Sequence, residues 1–339
     1  MIDAPLDPDR RVVAARPRIG FLGVGWIGRH RMAAMIGTGA IEVAAVADPS
    51  DEMAAEAAGL APDAERVASL DALLDAGVDG VVIATPSALH AEQSIRALGH
   101  GAAVFCQKPL GRTEREVRAV VDAARAADRL LGVDLSYRFT EGMRRIRELV
   151  RSGELGRVYA VDLVFHNAYG PDKPWFYDPA LAGGGCVMDL GVHLVDLALW
   201  TLGESVRSAT SRLFAGGEPL AGRTDRVEDY CVATLDLDGA AVRLACSWRL
   251  QAGCDAAISA AFYGTQGGAA FRNVDGSFYD FVAERHRGTT RETLASPPDH
   301  WGGRAAADWA VRLAAGSGFD PAAEEFVASA RALDLVYGR

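Results

Sequence analysis

Gly23-Val24-Gly25-Trp26-Ile27-Gly28 follows the Gly-x-Gly-x-x-Gly spacing of a loop that leaves a strand and opens a helix. In such a loop the first glycine permits the tight turn and the second lets the backbone approach a pyrophosphate. The third lets the helix pack on the strand, with its N-terminus facing the phosphates. Asp48 follows about 20 residues later, where a carboxylate reaches the adenine-ribose hydroxyls. The next residues are Pro49, Ser50, Asp51 and Glu52, so a 2′-phosphate would meet carboxylates and no lysine or arginine. The pattern predicts NAD as cofactor rather than NADP. A second set is Asp189 and His193, which share one face of a helix, with Asp196 a further turn along. By spacing they are a salt-linked pair at a helix start or two metal ligands. Asp196 alone could add a third ligand, so the metal reading is the weaker, and no metal is expected. Lys108, before Pro109, reads on its own as a surface lysine at a turn, and the Lys-Pro bond as a candidate cis peptide.

The elements that must position these residues fall into two rhythms. Strands are expected at 18–22, 41–47, 78–84 and 102–106, alternating with helices at 28–35, 52–58, 70–76, 88–98 and 114–127. Val78 to Ala84 has almost no polar alternation, as a central parallel strand covered on both faces should. This is a doubly wound α/β Rossmann domain, placed at residues 17–135. After about residue 135 comes a helix at 141–152, then alternating strands at 157–167, 206–214, 230–237, 241–250 and 256–263. Asp238-Gly239 reads as a two-residue hairpin turn with positive φ. Residues 136–339 are therefore expected to form an α+β domain on a mostly antiparallel, open sheet, for substrate binding and oligomerisation.

Three further stretches carry a resemblance. Ala84-Thr85-Pro86-Ser87-Ala88-Leu89-His90, then Gln107-Lys108-Pro109, then Gly183-Gly184-Gly185-Cys186-Val187-Met188-Asp189-Leu190-Gly191-Val192-His193-Leu194-Val195-Asp196 occur in order. Together they resemble the glucose–fructose oxidoreductase/inositol dehydrogenase/rhizopine-catabolism (Gfo/Idh/MocA) family. The resemblance implies an NAD-dependent oxidoreductase moving a hydride between the nicotinamide and a hydroxyl-bearing carbon of a sugar, cyclitol or related polyol. It makes Lys108 a base or proton relay, His193 the substrate-facing acid/base and Asp189 their neighbour. It adds Thr85, Pro86, His90, Gln107 and Lys108 to Gly23, Gly25, Trp26, Ile27, Gly28 and Asp48 as cofactor-binding residues. An amine works as a base near neutral pH only where its surroundings favour the uncharged form. The family commonly has Glu-Lys-Pro; Gln107 here keeps hydrogen-bonding capacity and loses a charge, which leaves the proton path open. Within the resemblance two alternatives stand beside the dehydrogenase: a glycosidase that oxidises transiently, and a non-enzymatic NAD-binding regulator.

Composition sets the outer bounds. The 339 residues carry a net charge of −10 without a basic stripe, so no nucleic-acid partner is expected. The first 16 residues show no apolar signal region, and no apolar run reaches the roughly 18 residues of a membrane span. The five cysteines have no metal-type spacing and read as reduced thiols of a cytoplasmic protein. Tyr137, Arg138, His166, Asn167, Trp175 and Trp248 are the substrate-side candidates, because aromatic faces beside polar groups suit a polyhydroxylated ring. Trp200 is expected in the core or an interface. An open sheet has a face to cover, and relatives cover it by pairing subunits, so a homodimer or homotetramer is expected.

Overall fold

The computed structural model describes residues 15–220 and 225–339. Most of the segment read for a signal peptide lies outside the described residues.

The first part runs β1 (Arg18–Leu22), α1 (Trp26–Gly37), β2 (Glu42–Ala47), α2 (Asp51–Leu60), β3 (Glu65–Arg66) and α3 (Leu70–Asp75). It continues with β4 (Gly80–Ile83), α4 (Ser87–Gly99), β5 (Ala103–Cys106), α5 (Glu114–Ala127) and β6 (Leu131–Val133). All six strands are parallel, in the order β3-β2-β1-β4-β5-β6. β3 and β6 escape the sequence reading because two or three residues cannot show a period. Helix starts follow from local chemistry: Ser50, Ser69 and Thr113 each accept a backbone N–H three residues on and so cap α2, α3 and α5. Between β1 and β4 the strand order reverses, and the carboxyl ends of these strands open a crevice.

The second part runs α6 (Glu141–Arg151), β7 (Val158–Asn167), α7 (Pro179–Ala182), a π turn at Val187–Gly191, and α8 (Val192–Leu202). Strands follow: β8 (Val206–Ala215), β9 (Glu218–Pro219), β10 (Tyr230–Leu237), β11 (Ala241–Ser247), β12 (Ala256–Gly264), β13 (Gly268–Asn273), β14 (Phe281–Arg287) and β15 (Thr290–Ala295). They form one nine-stranded sheet, β15-β14-β13-β12-β7-β11-β10-β8-β9, antiparallel except for the parallel pair β7/β11. The hairpin between β10 and β11 is present, with Leu237 N–H donating to the Ala240 carbonyl. Neither Asp238 nor Gly239 takes a positive φ, however. Glu204 holds the turn instead by accepting the Gly239 N–H at 2.9 Å.

Helix α8 is buried along almost its whole length against the sheet. The helical run Pro179–Leu202 is long and apolar enough to cross a membrane by length and composition, with a mean hydropathy of 1.4. Its most apolar 18-residue window is 83% buried inside the fold, as a core helix would be.

The last two helices both reach the first sheet. α9 (Arg304–Ala314) returns to the first, where Trp309 packs with Phe105, Ile19 and Phe21. α10 (Glu324–Tyr337) joins both cores, Val327 and Ala330 in the first and Leu333 and Val336 in the second. Helix α9, which lies outside residues 17–135, therefore packs on the parallel sheet. Sequence periodicity shows that a helix is amphipathic, not which sheet it covers.

Candidate active site

A cleft of about 1570 Å³ lies along the carboxyl ends of β1, β2, β4 and β5 and under the second part. Its glycine loop is built as the spacing demands. Gly23 has φ +85°, and a Cβ there would lie 2.6 Å from the Ala84 carbonyl oxygen. A Cβ on Gly28 would lie 2.2 Å from the Gly23 carbonyl, so β1 and α1 meet this closely only through glycine. Gly25 caps α1 and faces the cleft beside Trp26, which is 62% exposed, and Ile27. Asp48 ends the β2 turn; its carboxylate accepts Val24 N–H at 2.8 Å and Ser50 N–H at 2.9 Å. Those contacts hold the acid against the loop, with lone pairs left for a ribose. One cation stands nearby that the sequence did not reveal: Arg29, which donates to the Val24 carbonyl and pairs with Glu56.

The neighbouring turns are tied together. Thr85 Oγ1 donates to Gln93, Pro86 caps α4, and His90 has its ring nitrogens 2.7 Å from the Thr85 and Pro109 carbonyls. His90 is fully buried, and burial lowers its pKa while the two carbonyls pull the other way. It braces the Lys108 turn more than it faces the crevice. The Lys108–Pro109 bond is cis. Lys108 Nζ donates to Asp189 Oδ1 at 2.6 Å and to the Asp189 carbonyl at 2.8 Å. Trp248 Nε1 donates to the other carboxylate oxygen at 3.0 Å.

Asp189 and His193 are brought together in the cleft, but by different means than a simple helical face. Asp189 sits in the π turn and His193 in the first turn of α8. His193 is buried with Nδ1 unpartnered, and the Tyr137 ring stands edge-on to it at 5.0 Å. Burial, then the Lys108 charge, then Arg31 hold the His193 pKa well below the usual histidine value. These effects keep its ring neutral. Asp196 is elsewhere: it pairs with Arg138 and accepts from Ser329, so the three residues of the metal reading do not converge.

Of the substrate-side candidates, Tyr137 and Trp175 line the cleft. Trp248 stands behind Asp189. Arg138 is not at the cleft; it is locked between Asp196 and Glu325, with Trp200 packed on its guanidinium. His166 bonds Ser247 and stacks near Tyr230, and Asn167 accepts the Tyr169 N–H; neither lines the cleft. Period-two alternation located β7 but not which of its ends faces the crevice.

Three groups were missed. Tyr279, Asp299, His300 and Trp301 enter from the loops beyond β13 and β15. Glu228, 2% exposed, accepts the N–H groups of Gly185 and Val187 and the Tyr337 hydroxyl at 2.8–2.9 Å, so it caps the turn that carries Asp189. Asp134, at the end of β6, accepts from Gln107 Nε2 and Arg31 Nε, both at 2.6 Å. That explains Gln107: a glutamate there would set two carboxylates face to face, whereas the amide donates.

The comparisons with known proteins bear on this geometry. Residues 17–135 match the model of an oxidoreductase family with an NAD-binding Rossmann fold, and residues 143–270 match the GFO/IDH/MocA C-terminal domain. The rhizopine catabolism protein MocA of Rhizobium meliloti is 32% identical over 222 residues, 64% of this chain and 67% of that protein.

The chain belongs to the Gfo/Idh/MocA family.

The 1,5-anhydro-D-fructose reductase of Ensifer adhaerens is also similar to this Gfo/Idh/MocA chain, 32% identical over 62% of the chain and 64% of that protein. A structure of levoglucosan dehydrogenase with NADH and levoglucosan superposes with a TM-score of 0.80 at 20% identity, covering 96% and 98% of the two chains. Against its curated relatives the chain aligns over about two thirds of their length or less. The cleft fits the cofactor of the family: a loop in which Gly23 and Gly28 leave no room for a Cβ, an open helix N-terminus, and a carboxylate at the ribose end.

Proposed function

We propose that this protein is an NAD-dependent dehydrogenase or reductase acting on a CH–OH carbon of a sugar, cyclitol or related polyol. The observation that carries the reading is the convergence of Lys108, Asp189 and an unpartnered, neutral His193 beside the glycine loop. NAD, when bound by Gly23, Gly25, Gly28 and Asp48, supplies the hydride acceptor or donor. In oxidation, His193, neutral and lining the cleft, takes the hydroxyl proton as the hydride leaves, and its lowered pKa favours giving that proton up again. Lys108 spends two hydrogen bonds on Asp189 and turns its remaining N–H to the substrate oxygen, where negative charge develops. Asp189 orients Lys108, and Trp248 orients Asp189. Tyr137, Trp175 and Trp301 offer ring faces to the apolar C–H side of a polyol. Reduction runs the same proton path backwards.

The named relatives support the substrate class: one is a reductase of a sugar derivative, and another was solved with an anhydrosugar. Four buried free cysteines agree with a reducing, cytoplasmic setting. The face of the sheet bearing Tyr159 and Tyr263 is where subunits would pair. The test is a screen of sugars and inositols with NAD, following absorbance of the reduced cofactor. Turnover with one class of polyol is expected. Bond cleavage with no net change in NAD would favour the glycosidase alternative, and binding without any turnover the regulator.

A further inference from the structure

Of the 35 lysine and arginine residues only two are lysines, Lys108 and Lys173, and both line the cleft. Lys108 is engaged with Asp189. Lys173 belongs to the second part of the chain, on the connection between β7 and α7. Its Nζ lies 3.5 Å from where a Cβ on Gly25 would stand, so it hangs over the open N-terminus of α1. Five lysine or arginine side chains line the cleft: Arg29, Arg31, Arg96, Lys108 and Lys173. The first four are paired with Glu56, Asp134, Asp71 and Asp189. Lys173 makes no ion pair among the described residues, and the adjacent Asp172, which also lines the cleft, does not pair with it.

A dinucleotide brings two phosphate charges to this point. A helix N-terminus offers the equivalent of about half a charge, and no other cation at the loop is unengaged. The segment carrying Lys173 is held to the second sheet. Arg249 N–H donates to the Tyr169 carbonyl, Leu250 N–H to the Asn167 carbonyl, and the Tyr177 hydroxyl to the Pro171 carbonyl. A lysine suits the place because its compact ammonium on a flexible stem reaches an oxygen beside a glycine without needing a planar partner.

We infer that Lys173 closes across the cleft onto the pyrophosphate of the bound dinucleotide, so that the cofactor itself ties the second part of the chain to the first. The inference rests on reading the cleft as an NAD site.

Calorimetric titration of the full chain with NAD, ADP-ribose and adenosine, for wild type, Lys173→Ala and Lys173→Arg, tests it. Lys173→Ala should weaken NAD and ADP-ribose about tenfold to a hundredfold, the scale of one charge-assisted hydrogen bond. Adenosine, which lacks phosphates, should bind within about twofold of wild type, and Lys173→Arg should recover most of the loss. With only two lysines, acetylation by an amine-reactive ester can be mapped cleanly, and ADP-ribose should protect Lys173 while leaving the N-terminal amine reactive. NAD binding unchanged in Lys173→Ala, an equal loss for adenosine, or no protection would each overturn the proposal. Wild type that binds neither NAD nor ADP-ribose would overturn the reading of the cleft, and the proposal with it.

Discussion

Gln107 is the residue at which this chain departs from the family's Glu-Lys-Pro, and its contacts make the departure consequential. Its amide donates to Asp134, whose carboxylate Arg31 also holds. Gln107→Glu should destabilise the protein by about 2–3 kcal/mol at pH 7.5, because it trades a charge-assisted donor for a repelling acceptor. Urea unfolding should show the loss shrinking toward pH 5, where the new carboxyl regains a proton and can donate. A variant as stable as wild type would remove the account given for Gln107. At the reacting centre, Lys108→Ala and His193→Ala should each lower turnover about 10²–10⁴-fold, with NAD affinity near wild type. Loss of NAD binding would mean that both belong to the cofactor site instead. At the ribose end, the carboxylates around Asp48 and the Arg29–Glu56 pair leave no free cation for a 2′-phosphate. NAD should bind at least about tenfold more tightly than NADP by titration; equal affinities would refute this.

At the scale of elements, the turn that presents Asp189 depends on a group far away in sequence. A Cβ on Gly185 would stand 1.9 Å from the Glu228 carbonyl oxygen, while the Glu228 carboxylate accepts the Gly185 and Val187 N–H groups. Burial pushes the Glu228 pKa up and the N–H groups restrain it. Glu228→Ala strands two backbone donors and the Tyr337 hydroxyl, and should cost about 3 kcal/mol. Turnover should fall further than NAD affinity, since α1 is untouched. If thermal unfolding and turnover both match wild type, Glu228 is not the cap of this element. The Gly-Gly-Gly run was visible in the sequence, but its partner was not. Nothing local links residue 185 to residue 228.

For the molecule as a whole, the C-terminal helices decide how the two parts depend on each other. Trp309 of α9 is 3% exposed and lies over Phe105, with Gly80 and Gly132 making room for its ring. Trp309→Ala should cost about 3–5 kcal/mol, and a fragment ending at residue 135 should fail to fold, because one face of its sheet loses α9. A stable, NAD-binding fragment would show that the parallel sheet is self-sufficient. Stability should also fall between pH 7.5 and 5.5. Burial holds His30, His90, His166 and His193 below their ordinary values in the folded protein. The unfolded chain therefore takes up protons near pH 6.5 that the folded protein refuses, and the free energy of unfolding drops as pH drops. A rise in melting temperature over that range would contradict the sign.

The βαβ cofactor loop, its acid at residue 48 and the order of the chemical motifs were all readable from the sequence by itself, because each depends on short-range spacing along one strand, turn or helix. The switch from a parallel to an antiparallel sheet was readable for the same reason, through the change in periodicity. Only the tertiary structure decided that Arg138, His166 and Asn167 stand away from the cleft, that Glu228 and Asp134 hold it in shape, and that α9 returns to the first sheet. Those are meetings of residues distant in the chain, fixed by which faces bury together, and no local pattern carries them.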